Sequence, residues 1–463
     1  MRDHGRSLQA VCWVVFASGI IRGYAAEPAS PPRGPFGHGL LENAQGGMAD
    51  AEFFLSNESC ATCHERQARE FQGSMHMAAH NDPLYRHLAE IARREGGDEV
   101  YTFCSSCHAS AAVLTGAIPS VSDKDLAPEL KAGVTCDTCH LVTALKGSQG
   151  GWREEGNASL IIEQGMARFG PLADLAENRL HTSEKRDFFA RSEFCASCHT
   201  VIHPTSGLRI EHTYGEWKQS IYAQKGIQCQ DCHMNSVEDA VKVAETLEPV
   251  VRTGQSAVDT PSRRIHPHFF VGGSADAERL ANGPEHARMA EARLKSAAKM
   301  AIAAPRSSAA GSDLRFEVAV QNVAAGHNLP SGVTELRRIW VDLHVVDGRG
   351  ATLYRTDKAD GHGDFGSDTL WFGALAAGAS GQPTYKLWEM QRFLTQRGIP
   401  PKGTERKTFT TKLPSQVVGP IAIEARLLYQ SAPPSIVAEI MKDDAFVPKV
   451  TEMATARVSV EVE

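Results

Sequence analysis

The residues best placed to do chemistry are cysteines and histidines. The unit Cys-x-x-Cys-His occurs five times in the first half of the chain and never in the second: Cys60/Cys63/His64, Cys104/Cys107/His108, Cys136/Cys139/His140, Cys195/Cys198/His199 and Cys229/Cys232/His233. This spacing suits covalent attachment of c-type haem. Two thiols add to the vinyl groups of one macrocycle, and the histidine directly after the second cysteine lies under the iron as its proximal ligand. Two other chemistries use similar residues. Structural zinc draws separated cysteine pairs together, and disulfides staple small exported domains. A zinc site does not demand a histidine after every second cysteine, and a disulfide framework has no use for the histidines. The recurrence therefore points to five haem c groups.

A c-haem takes a second axial ligand unless its iron is left open for substrate, and a histidine there gives a lower potential than a methionine. The candidates for this distal position are His76 in Ser-Met-His-Met, His181, His203, His268 in His-Pro-His-Phe-Phe, and His327 in Gly-His-Asn-Leu-Pro-Ser-Gly. His80, His87, His212 and His266 compete with them. Any one, taken alone, is more often a surface or hydrogen-bonded core histidine. Met234 follows proximal His233 and cannot reach the opposite face of the same haem, while Met75 and Met77 flank a better ligand. Mostly bis-histidine haems are expected.

The elements that must position these groups are legible in outline. Residues 1–25 carry Arg2 and Arg6, an apolar run and a small-residue ending, the pattern of a secretory signal peptide. Residues 26–50, rich in proline and glycine, read as a flexible leader, with order beginning near Phe53 and Phe54. From 51 to 305 short helices and loops surround the motifs. Pro83 starts a helix through Arg94, Thr213 and Glu216 form a capping-box pattern before a helix to Lys225, and the Ala/Lys/Arg/Glu-rich stretch 275–303 reads as one long helix. After about 310 the period changes to two. Residues 314–320, 339–346, 422–429 and 455–462 alternate apolar and polar, with a turn at Asp347-Gly348 and Gly350. The expected fold class is α + β in two domains, a helical and loop-rich multihaem domain (51–305) and an immunoglobulin-like β-sandwich (310–463).

Ten of the 11 cysteines fall in the motifs, and Cys12 lies in the signal region. Aromatic residues are only 7% of the chain, a low figure that haem macrocycles, as flat apolar bodies in the core, would offset. The formal charge of −7 gives no basic footprint for nucleic acid. No stretch reaches membrane-spanning length. Export places the protein in the periplasm or at the outer surface.

The combination of Phe71-Gln-Gly-Ser-Met-His76, Tyr214-Gly-Glu-Trp217, Cys229-Gln-Asp-Cys-His-Met234, His268-Phe-Phe-Val-Gly-Gly273 and Gly326-His-Asn-Leu-Pro-Ser-Gly332 resembles exported multihaem c-type cytochromes. Their haem region is related to the tetrahaem electron acceptor of hydroxylamine oxidoreductase. Residues 398–401 and 426–429 look like the C-terminal β region of such proteins. The resemblance implies close-stacked haems passing single electrons, with distal ligands carried over to His76, His181 and His268, and less directly to His203 and His327. It implies redox protein partners: donor and acceptor cytochromes or a membrane quinol oxidase complex. The tetrahaem relative keeps one five-coordinate haem. Pentahaem nitrite reductases replace one motif histidine by lysine, whereas all five motifs here end in histidine. The leading expectation is an electron carrier rather than an enzyme. The alternative is reduction of a small nitrogen oxide or peroxide at one open haem beside polar groups such as Arg168, His181 or Tyr214. A further reading makes the β domain a docking end, against the simpler one in which it caps the haem domain.

Overall fold

A computed structural model describes residues 34–37, 39–146, 156–173, 175, 178–280, 283–356 and 365–463. The signal-peptide reading, and the leader up to residue 33, lie outside the described residues.

The chain is packed earlier than Phe53. Leu41 is buried, residues 42–43 pair in parallel with 161–162, and Ala49 N–H donates to Leu114 O. The apolar Leu41 fills the first core, which its Pro/Gly-rich neighbours had disguised. Helix α1 (Pro83–His108) begins with Asp82 capping Tyr85 N–H and proline in its first turn. It continues past Arg94 across Gly97, whose φ of 81° only glycine adopts easily, and so delivers the second motif.

Each motif sits on a helical turn. In such a turn residues i, i+3 and i+4 share one face, which is what puts both thiols and the imidazole against one ligand. Cys136–His140 is capped by a reciprocal Thr135/Thr138 box, and Cys229–His233 by Gln228 and Asp231. Small sheets of two or three strands link these turns.

Helix α2 (Thr213–Lys218) departs from the sequence reading. Thr213 and Glu216 do not cap it. Glu216 Oε2 instead accepts from Ser331 Oγ at 2.6 Å and Asn328 N–H at 3.1 Å, and Thr213 Oγ1 meets Ser331 Oγ at 2.8 Å. Both side chains serve the loop that carries His327. Ser220 then caps a separate turn, Ile221–Gln224.

The stretch 275–303 is not one helix. A 3-10 turn, Ala275–Arg279, precedes α3 (Pro284–Ala297), and the last six residues form strand β1 (Ala298–Ala303). Alanine-rich composition favours a helix, but pairing with β2 (Asp313–Asn322) decides the matter, Ala298 opposite Asn322 and Ala303 opposite Glu317.

The C-terminal part contains two sheets. β1, β2 and β7 (Thr404–Lys412) form one, in the order β1-β2-β7. The larger sheet centres on β3 (Arg338–Val346), β8 (Ile421–Gln430) and β9 (Val450–Val462). β4 (Thr352–Arg355) and β5 (Trp371–Ala377) flank β3, and β6 (Arg392–Arg397) flanks β5. Leu314, Phe316, Val318 and Val320 of β2 share one core with Ile339, Val341, Leu343 and Val345 of β3 and Ile421, Ile423 and Leu427 of β8. The two-residue alternation buries every second side chain. Helix α4 (Pro434–Met441) projects from this part to pack Val437 and Ile440 on Leu84, Leu88 and Ile91 of α1. Val271, Ala290 and Leu294 from the motif-bearing part enter the two-sheet core. The α + β architecture is thus one continuous packing of two parts. Among the described residues no helix is long and apolar enough to cross a membrane.

Candidate haem-binding centres

The imidazoles of the five motifs are held alike. Nδ1–H of His64 donates to Ser256 O at 2.6 Å, of His108 to Ala79 O at 2.8 Å, of His140 to Phe169 O at 2.7 Å, and of His233 to Val271 O at 2.8 Å. His199 instead faces Glu211 Oε1 at 2.8 Å. An acceptor at Nδ1 fixes the tautomer and leaves the Nε2 lone pair for a metal.

Four of these rings have a distant histidine beside them. Ring centres are 6.3 Å apart for His64 and His181, 6.4 Å for His140 and His268, 6.1 Å for His233 and His327, and 6.0 Å for His199 and His76. The ring planes meet at 24°, 24°, 14° and 57° in the same order. Flat aromatic stacking would bring the rings much closer. Two imidazoles bound through Nε2 to opposite faces of one iron, at about 2.0 Å per bond and with ring bonds of about 1.35 Å, would hold their centres about 6.3 Å apart. The spacing fits a bis-histidine centre.

The distal rings are also oriented. Nδ1–H of His181 donates to Thr182 O, of His268 to His266 O, and of His327 to Asn328 O. His76 lies between Phe270 and a close backbone approach. Gly133, at φ 79°, sits where a Cβ would stand 2.7 Å from Met77 O and 3.1 Å from His76 O. Burial, reinforced by neighbouring imidazoles or Arg293, holds His76, His233 and His268 down to about 3, so these rings are neutral and able to ligate at physiological pH. At His199 burial also opposes the charge, but Glu211 outweighs it through charge and hydrogen bond and lifts the ring to about 9.

His203 is placed differently. Its Nδ1 accepts from Thr205 and Ser206 N–H, so Nε2–H donates, to Trp388 O of the two-sheet part at 3.0 Å. The ring is buried but engaged at both nitrogens, and it lies against Phe36 rather than a motif histidine. Nε2 of His80 faces Asp123, and Nε2 of His286 faces Glu70 O. His87 Nδ1 is held by Pro83 O, and its Nε2 faces Asp444 Oδ2 at 3.4 Å. Among the described residues a free Nε2 thus separates the four histidines that lie beside motif rings from these competitors, a distinction invisible in sequence.

His108 has no second histidine ring beside it among the described residues. Tyr85 lies flat against it, centres 3.9 Å apart and planes at 4°. The polar groups expected near an open iron are otherwise employed. Arg168 pairs with Asp137, His181 stands beside His64, and Tyr214 packs on Trp217.

The thiols show how the motifs adjoin. Cys60 neighbours Cys136, Cys107 neighbours Cys198, and Cys195 neighbours Cys229, while Cys139 lies near Cys198. Motif one therefore abuts motif three, and motif four is the junction for two, three and five. Cys63 sits half-buried on the first motif's turn. One side of this turn meets the loop at 256–258. There Cys63 N–H closes the turn onto Cys60 O at 3.2 Å and Cys63 O accepts from Val258 N–H at 2.9 Å, two residues from the Ser256 carbonyl that anchors His64.

Burial pushes the thiols of Cys104, Cys139 and Cys232 up to about 12. All ten motif cysteines, Cys63 included, are free of disulfides. Paired thiols, oriented imidazoles and iron-width spacing together fit covalent haem.

Residues 59–141, which hold the first three motifs, match the family model for cytochrome c554 and c-prime. The crystal structure of a pentahaem cytochrome c552 from Thermochromatium tepidum matches the fold with a TM-score of 0.61 at 19% identity, covering 88% of this chain and 99% of that one. A CARDB domain from Pyrococcus furiosus covers 36% of this chain and 87% of its own at 14% identity, with a TM-score of 0.17 that carries no argument. No curated protein matches the sequence. The family-model match and the shared fold support a multihaem c-type cytochrome.

Proposed function

We propose that this chain is an exported electron carrier holding five covalent haem c groups, four of them between two histidines. The carrying observation is the set of four histidine pairs, each joining a motif histidine to a distant ring at 6.0–6.4 Å. Haem so bound takes up and releases one electron without proton or atom transfer. The protein's task is then to hold ligands rigidly, which the Nδ1 anchors do, and to set the centres side by side, which the contacting thiols do. Electrons entering at motif one reach the junction at motif four through motif three, and leave toward motif two or five. Periplasmic or outer-surface location and redox protein partners, either cytochromes or a membrane quinol-linked complex, belong to this reading. We read the two-sheet part as an immunoglobulin-like sandwich whose loop at 326–332 contributes the His327 ligand and so clamps the haem region.

A second reading rests on His108 having no partner ring among the described residues. The centre at motif two would then be open on one side, as a reductase of a small nitrogen oxide or peroxide requires.

The test is intact mass, electron paramagnetic resonance of the oxidised protein, and carbon monoxide added to the reduced form. Five haem additions, four low-spin centres and one high-spin centre binding one carbon monoxide per chain match the proposal with an open motif-two iron. Five low-spin centres and no carbon monoxide binding would leave the carrier reading and remove the reductase. A mass without haem would end both.

A further inference from the structure

Four motif histidines donate Nδ1–H to neutral backbone carbonyls, and one donates to a carboxylate. The exception is built in. His199 is followed by the antiparallel pair Val201–Ile202 and Arg209–Glu211, whose register sets Val201 opposite Glu211 and folds the carboxylate back beside the imidazole. Glu211 Oε1 stands 2.8 Å from His199 Nδ1, with the side chain only 14% exposed, and Thr213 Oγ1 lies 3.5 Å from the same oxygen. The carboxylate is largely removed from water although the imidazole is 48% exposed, and at 2.8 Å little solvent can come between the two.

A full negative charge on the outer nitrogen makes the imidazole a stronger donor at Nε2 and stabilises the ferric state more than a carbonyl does. We propose that Glu211 is a potential-setting residue that makes the haem at the fourth motif the lowest in reduction potential of the four bis-histidine centres. This rests on the haem reading above. The fourth motif is also the junction that the second, third and fifth adjoin. A low-potential junction does not retain electrons; it passes them on and leaves them resting at the ends of the branches.

The ring geometry makes this centre identifiable. His76 and His199 cross at 57°, whereas the other three pairs lie within 24°. Crossed imidazoles give a low-spin paramagnetic resonance signal with a larger maximal g value than near-parallel ones. Potentiometric titration of the native protein should therefore find the largest-g signal reduced last among the low-spin signals. In Glu211→Gln, which keeps the shape and removes the charge, that signal alone should titrate at higher potential while the other steps stay in place. A largest-g signal reduced before the rest in the native protein overturns the proposal. So does a Glu211→Gln chain with five haems and every step unmoved. If the variant fails to load haem, the native titration alone decides. Absence of haem from the native chain would instead fail the reading on which the proposal rests.

Discussion

Asp137 lies inside the third motif with its side chain 1% exposed, and Arg168 is 14% exposed beside it. Arg168 Nε meets Oδ1 at 2.7 Å and Nη2 meets Oδ2 at 3.0 Å, while Leu55 N–H donates to Oδ2 at 2.8 Å. Replacing Arg168 with methionine keeps most of the volume but leaves a buried carboxylate with one backbone donor. Breaking one side of such a pair costs about 3–5 kcal/mol, against the 0–1 kcal/mol expected of a surface pair. For a domain of some 250 residues, at about 2–4 °C per kcal/mol, the melting temperature should fall by about 6–20 °C. The loss should also reach the centre itself, because the neighbouring Phe169 O anchors His140. The assay is thermal unfolding followed both by circular dichroism and by haem absorbance, with Asp137→Asn/Arg168→Met as the companion. With neither charge left, the double variant should recover more than half of the loss. A single variant within about 1 kcal/mol of the parent, or a double variant no more stable than the single, would falsify this account of the pair.

The other predictions are briefer. His327→Ala should convert one low-spin centre to high-spin and raise carbon monoxide binding by one per chain; an unchanged spectrum would refute ligation by that ring. His203→Ala should leave every spin state as it was and lower stability by about 1–3 kcal/mol, since Trp388 O loses its donor; a new high-spin signal would show His203 to be a ligand instead. Glu335 is 3% exposed, and burial lifts its pKa from 4.5 to about 7. The folded state thus holds a proton that the unfolded chain releases above 4.5, so stability is lost as pH rises from there through about 7. Glu335→Gln should therefore gain on the parent by roughly 3 kcal/mol more at pH 8 than at pH 4; an equal gap in melting temperature at the two pH values would contradict this.

What the sequence disclosed follows from how locally each feature is determined. The motif turns are legible because covalent attachment fixes residues i, i+3 and i+4, and the strands because every second side chain of 314–320 or 339–346 meets one core. Features decided by remote partners were hidden. Residues 298–303 become a strand only because 317–322 lies beside them, and Thr213 and Glu216 abandon a local cap for a loop more than a hundred residues away. The same holds at the centres. Nothing near His76 says that it stands opposite His199 rather than the nearer His108, and nothing near His203 says that its Nε2 is committed to Trp388. Nor does the shared motif say that Cys60 meets another motif's thiol while Cys63 faces a loop. The Glu211 contact is the exception. The short hairpin beginning two residues after His199 brings it back, so a reading of strand pairing there could have found it.

The Nδ1 anchors carry a consequence for how the protein is made. His64 belongs to the first motif in the chain, yet its ring is fixed by Ser256 and faced by His181. His140 waits for His268, and His233 for Val271 and His327. On the haem reading proposed above, cofactor attachment, which needs only the local turn, would run ahead along an extended chain, and ligand exchange to the final partners would follow in a late, crossed and collective step. A chain truncated before 327 would carry its full complement of macrocycles and still lack the ring opposite His233. On that reading maturation would end when the last strands arrive, well after the last thioether has formed.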